Sequence, residues 1–315
     1  MTDTAGWRPP ARISALRPEA AALLEQVSAL THQIIEPHLL EIVRHASGRL
    51  IGNDEAARDA VPLISSDEDR DCLAFTEQFV IDVSGIDDEL RATLARHVPA
   101  GRQRAFVTAI YITEFTQRMD LMSERLLGRD PARVTHPTDP PAVITPEKDT
   151  DADAALIHVL RDYQDAVMRG TDLDPVVTEL VRLRCARTHD CRICKTLRLD
   201  DARSAGVDES MTDKVDFYER SDLDERIKLA LRVTDGFISR PDTFSAQHAA
   251  EARAAYTPAQ LAELMLDITK WSTQKIHVAL GTDGAEHLPV NERGVSYFAF
   301  AEDGRVAGYS AVPGM

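Results

Sequence analysis

The absences in this sequence narrow it first. Aromatic residues make up only 5% of the 315 positions and β-branched runs are short, which leans the chain towards helix. No apolar stretch approaches the roughly 20 residues that cross a bilayer, so no transmembrane helix is expected. The opening MTDTAGWRPPARIS has no apolar h-region of a secretory signal, and a cytoplasmic protein is the expectation. Basic charge is short as well: 36 Lys and Arg stand against 52 Asp and Glu, a formal charge of −16. Phosphate backbones are held by clustered Lys and Arg, so no nucleic-acid partner is expected, and docking on an anionic membrane surface is disfavoured. No Gly-x-Gly-x-x-Gly occurs, so no flavin or nicotinamide cofactor is expected. Four cysteines do not make a disulfide scaffold in a chain of this length.

The hydrophobic fraction, 43%, is enough for packed cores, and the length points to about two domains. One stretch reads as a linker. Residues 129–150 carry Pro131, Pro137, Pro140, Pro141 and Pro146 without any helical period. It separates a first domain, 12–128, from a second, 151–290, followed by a tail over 291–315. The two halves resemble each other. Pro37-His-Leu-Leu-Glu41-Ile-Val-Arg44 matches Pro175-Val-Val-Thr-Glu179-Leu-Val-Arg182, with Pro, Glu, Val and Arg in one register. Thr76-Glu-Gln-Phe-Val80 then answers Thr234-Asp-Gly-Phe-Ile238, and Pro99 and Pro258 each open a long apolar-periodic segment. The shared order of these matches points to duplication.

Most segments have helical spacing. Residues 154–168 and 174–187 place apolar side chains three and four apart. Residues 258–280 read as one helix, with Thr257 as N-cap, Pro258 at the first helical position and Gly281 as the stop. In the tail, Val295-Ser-Tyr-Phe-Ala-Phe, a turn at Glu302–Arg305 and Val306–Tyr309 read as a small β-hairpin.

The chemistry gathers at Cys185, Cys191 and Cys194. Thr188, His189 and Asp190 break the helical pattern, and Thr188 or Asp190 can cap a new helix with Cys191 in its first turn and Cys194 on the same face. Amide N–H groups and the positive dipole end there stabilise a thiolate. Arg192, Lys195 and Arg198 add positive charge. Two thiols at this spacing can close a disulfide, which suits a peroxidase or a thiol–disulfide exchanger. A zinc site wants four ligands and one Cys-x-x-Cys supplies two, so no metal is expected. The pair also admits the plain reading of two half-buried structural thiols. Cys72, beside Leu73, Ala74 and Phe75, reads as a buried structural thiol.

From Glu179 to Gly206 the chain resembles the carboxymuconolactone decarboxylase and alkylhydroperoxidase D superfamily. The resemblance rests on Glu179 in one helix, Cys191-x-x-Cys194 opening the next, and Ala202-Arg-Ser-Ala-Gly206 closing it. Trp271 to Asp283 looks like the family's last helix. The match covers 155–310 well, and 30–128 more weakly as a degenerate copy. It implies an all-α fold of two tandem helical domains with a short C-terminal β-hairpin. It implies a peroxidase-type, antioxidant oxidoreductase acting on a small-molecule hydroperoxide, recharged by a dithiol reductant. Glu179 becomes the proton acceptor, Cys194 the attacking thiol and Cys191 the resolving thiol, whereas helix position favours Cys191 as the more acidic one. The family's relay histidine, four residues after the second cysteine, is Arg198 here, which does not accept a proton near neutral pH. Arg198 remains able to stabilise a thiolate or hold an anion. His189 and His277 are the substitute relay candidates, though His189 reads first as a capping-loop or surface residue and His277 as core packing. In the first half Asn53 and Ala56 stand where the cysteines would be, so that half is expected to be redox-inactive and structural.

Two other classes stay open. One is a cofactor-free lyase or decarboxylase acting on a small anionic metabolite, with Glu179 and a histidine as acid and base and Arg198 or Arg182 on a carboxylate. The other is a non-enzymatic helical scaffold whose cysteine pair senses oxidants. A homo-oligomer, trimer or dimer, is expected in each case.

Overall fold

A computed structural model describes residues 7–58, 62–129 and 149–314. The Pro-rich linker assigned to 129–150 lies almost wholly outside the described residues. Helices dominate, as expected. The first half contributes α1 (Ala11–Leu16), α2 (Pro18–Ile34), α3 (Pro37–Ile51), α4 (Asp54–Arg58), α5 (Asp67–Ile81), α6 (Asp88–Ala95) and α7 (Ala100–Leu127). The second contributes α8 (Asp149–Met168), α9 (Pro175–Thr188), α10 (Arg192–Thr196), α11 (Asp200–Ser204), α12 (Glu209–Asp213), α13 (Glu225–Ile238), α14 (Ala246–Ala255), α15 (Pro258–Ser272) and α16 (Lys275–Ala279). Among the described residues three strands follow: β1 (Leu197–Leu199), β2 (Ser296–Phe300) and β3 (Val306–Ser310).

Local signals explain several boundaries. Pro37, Pro175 and Pro258 each occupy the first turn of their helix, where a missing N–H costs nothing. Thr257 and Gln260 cap α15 reciprocally, and Ser66 with Asp69 does the same for α5. The helix expected over 258–280 is broken in two. The Thr273 hydroxyl and N–H both turn back to the Lys270 carbonyl, at 2.7 and 3.1 Å, closing α15 before α16 begins.

The halves share one interior. A single apolar cluster runs from Ile13 through Tyr111 and Tyr163 to Phe298, and α2 packs along α8. The tail is a hairpin, as expected, but it is not simply appended. β2 pairs antiparallel with β3 and also parallel with β1, the strand that directly follows the cysteine helix, aligning Arg198 with Tyr297. At the hairpin turn Gly304 has φ +85°, and a side chain there would run into the Asp165 carbonyl of α8.

Because α15 threads the centre, its polar residues are buried with it. Burial pushes the Asp267 carboxyl up from 3.8 to about 7, against the pull of Lys270, Arg17 and a Thr178 hydrogen bond. The folded carboxyl thus keeps its proton where the unfolded chain has released it. Its stabilising contribution is present at acid pH and lost as pH rises through 7. Asp267→Asn mimics the neutral form, so it should stabilise by on the order of 1–4 kcal/mol at pH 8 and by less at pH 5. Urea midpoints at the two pH values check this, and an equal or opposite shift at pH 8 would refute it.

Candidate thiol site

Two helices meeting at a tight turn build the site. α9 ends at Thr188, His189 occupies its C-cap, and Asp190 follows with φ +51°, the one positive φ outside glycine among the described residues. Asp is among the few residues that tolerate this conformation. The turn makes neither Thr188 nor Asp190 the cap of the next helix. Cys191 itself is the N-cap of α10, its Sγ accepting the Cys194 N–H at 3.3 Å. Cys191 and Cys194 are joined as a disulfide with Cα atoms 5.3 Å apart. Cys191 is fully buried and Cys194 half-buried, so only the second sulfur-bearing side chain is partly open to solvent.

The first half has similar local contacts without the sulfur. The Asn53 Oδ1 accepts the Ala56 N–H at 3.2 Å at the start of α4, as Cys191 Sγ does in α10. Glu41 pairs with Arg44 at 2.9 Å, three residues on, as Glu179 does with Arg182.

Glu179 is buried, and both its oxygens are taken by the Arg182 guanidinium, at 2.6 Å from Nε and 2.7 Å from Nη2. Arg182 is the residue that ties the site together. It also donates to the Cys194 carbonyl at 2.8 Å and to the Leu197 carbonyl of β1 at 2.5 Å. Its flat guanidinium lies 5.7 Å from the Phe298 ring and 5.9 Å from Trp271. A proton arriving at Glu179 must therefore compete with two strong charge-assisted bonds.

Arg198 is equally committed. It grips Glu209 at 3.0 and 3.1 Å and donates to the carbonyls of Lys195 and Leu197, both at 2.8 Å. It lines, with Glu179, Arg203, Arg293 and Tyr297, a cavity of about 230 Å³. Three guanidiniums, Arg198, Arg203 and Arg293, and three carboxylates, Glu179, Asp208 and Glu209, share this lining, so its formal charges balance.

The two histidines lead elsewhere. His189, expected in a capping loop or at the surface, caps α9 but is buried, and its Nε2 pairs with the Ser272 hydroxyl at 3.0 Å. Burial, with Lys275 and Arg118 nearby, drives its pKa well below 6.5, so it stays neutral. His277 bonds the Thr282 hydroxyl at 3.1 Å, and burial and Arg104 lower its pKa against the pull of Asp283. Of the six expected site residues, Glu179, Arg198, Cys191 and Cys194 gather around the α9–α10–β1 corner. The hydrogen bonds of His189 and His277 do not reach it.

Asp283 is a residue that spacing did not reveal. Its carboxylate accepts the Arg192 N–H at 2.9 Å and the guanidinium at 2.7 Å, and its carbonyl accepts the Ile193 N–H at 3.0 Å. Burial opposes its ionisation, yet the Arg192 bonds outweigh that and hold its pKa below 3.8. It pins the first turn of α10 to the chain after α16. The remaining thiols, Cys72 and Cys185, are buried, and burial pushes both to about 12, which removes them from thiolate chemistry. Among the described residues no three His, Cys, Asp or Glu side chains converge as a metal site, and no helix is long and apolar enough to cross a membrane.

No family model matches this chain, and no solved structure does. Two Mycobacterium tuberculosis sequences do: the uncharacterized proteins Rv2313c and MT2376, from two strains. Each is 36% identical over 234 residues, covering 73% of this chain and 78% of the relative. Identity of that depth over most of both chains means that the protein belongs to the family of these mycobacterial proteins.

Proposed function

We propose that the protein is a thiol-dependent oxidoreductase of alkylhydroperoxidase type, working through Cys191 and Cys194. The observation that carries this reading is the closed Cys191–Cys194 disulfide at the start of α10, with Cys191 Sγ held by the Cys194 N–H. Cys194 is the attacking sulfur because it alone of the pair is partly exposed. Its thiolate attacks the outer oxygen of a hydroperoxide, the O–O bond breaks, and the alkoxide leaves and takes up a proton. The sulfenic acid on Cys194 is then attacked by Cys191, forming the disulfide and releasing water. A dithiol reductant returns two electrons by thiol–disulfide exchange. Arg182 donates to the Cys194 carbonyl and fixes the reacting turn, while Glu179 keeps that guanidinium in place and receives the thiol proton in this reading.

The test is direct. One equivalent of a hydroperoxide added to the reduced protein should form the Cys191–Cys194 disulfide, read as a loss of two alkylatable thiols by mass spectrometry. Alkylation against pH should show one thiolate well below the free value of about 8.5. Two ordinary thiols that ignore peroxide would sink the proposal.

A further inference from the structure

A second cavity is lined by Thr188 and His189 of the turn that precedes Cys191, and none of the redox chemistry uses it. Its volume is about 330 Å³, within the range of small-molecule sites. α7, α9 and α16 bring Arg118, His189 and Lys275 to its wall, and all three side chains are buried. Leu50, Val80 and Ile238 supply an apolar wall, and Ile81, 68% exposed, stands at its edge.

The buried charges around the cavity do not balance. Lys275 Nζ donates to both oxygens of the buried Glu114, at 2.9 and 2.7 Å. Arg118 reaches the same carboxylate through Nε at 2.9 Å and Nη2 at 2.7 Å. Two buried cations therefore share one buried anion, leaving one positive charge without a buried partner among the described residues. The exposed Asp82, which attracts Lys275, and the exposed Arg240 also border the cavity, where water screens them.

The hydrogen-bond donors do not balance either. Both protons of Arg118 Nη1 go to the carbonyls of Phe237 and Ser239, at 2.9 and 2.8 Å. An ammonium has three protons and a guanidinium five. One N–H of Lys275 and one of Arg118 Nη2 are therefore left over among the described residues, and His189 Nδ1 has no partner there. The rings of Phe79 and Phe115, 4.4 and 5.6 Å from Lys275 Nζ, fix where that ammonium sits.

We propose that this cavity binds a small aliphatic monocarboxylate, its two oxygens on Lys275 and Arg118 and its hydrocarbon body against Leu50, Val80 and Ile238. A single negative charge neutralises the surplus, and a carboxylate takes two converging N–H donors. A dianionic phosphate would overcompensate the charge and leave the apolar wall uncovered. The inference does not rest on the redox reading.

Hexanoate serves as the probe, with hexan-1-ol and hexylamine as its neutral and cationic counterparts. Hexanoate should raise the melting midpoint of the full chain by several degrees at saturation, and the other two should not. Lys275→Met should abolish that shift. Ile81→Glu, an exposed position whose change leaves the core intact, should weaken hexanoate binding at least about fivefold by like-charge repulsion at the edge. Protein with Cys191 and Cys194 both replaced by serine should bind hexanoate as the parent does, which separates this site from the thiols. No shift with hexanoate, an equal shift with hexan-1-ol, or binding untouched by Ile81→Glu would each overturn the proposal.

Discussion

Arg182→Met is expected to destabilise the protein by about 3–5 kcal/mol, the usual cost of removing one partner from a buried ion pair. The substitution keeps much of the side-chain volume, so the loss is electrostatic rather than a cavity. Glu179 is left buried with its charge uncompensated and the Cys194 carbonyl loses this donor, while the Leu197 carbonyl keeps Arg198. A carbonyl that loses its donor adds to the cost. β1 is held to α9 through that guanidinium, so the edge on which the hairpin docks should loosen too. The melting midpoint should fall by on the order of 10 °C. Glu179→Leu combined with Arg182→Met should recover a large part of this, because no lone charge then remains. A single variant within 1 kcal/mol of the parent would show that the pair does not hold this corner, and chemical denaturation decides it.

Serine at either cysteine is expected to bring hydroperoxide reduction down to the buffer background, but the two variants should differ in what accumulates. With Cys191→Ser, Cys194 is still oxidised and its sulfenic acid has no resolving thiol, so a sulfenic-specific probe such as dimedone should label it. With Cys194→Ser, the remaining sulfur is fully buried and should stay unlabelled. Labelling in the opposite variant would reverse the roles and restore the preference for Cys191 that its position at the helix start suggests. Activity towards a small anionic metabolite that survives both substitutions would favour the lyase reading. A disulfide that forms without turnover and changes the state of assembly would favour the sensing scaffold.

Much of the fold can be read from local chemistry. Helix starts at Pro37, Pro175 and Pro258 and the Thr257–Gln260 cap depend on residues within one turn of each other, so spacing reveals them. The Cys-x-x-Cys pair and the turn before it are legible for the same reason. The break between α15 and α16 is harder, because it depends on a threonine hydroxyl choosing a backbone carbonyl over solvent. The capping position of His189 is legible but its burial is not, because a polar residue in a turn is ordinarily exposed; here the turn folds inward and Ser272, far along the chain, receives the imidazole.

The helical class, the repeated order of Pro, Glu and Arg in the two halves, the C-terminal hairpin and the cysteine pair with Glu179 upstream are all legible in the amino-acid order. Each follows from hydrophobic period, backbone restriction or contacts within a few residues. What distant groups meet is set by tertiary packing: Arg182 with the carbonyls of Cys194 and Leu197, Asp283 on the N-terminus of α10, β1 beside β2, and Glu114 between Arg118 and Lys275. Most of these partners are separated by tens to more than a hundred residues. Where the interior excludes water, a charge must find whichever opposite charge the packing brings to it, and no local pattern records that choice.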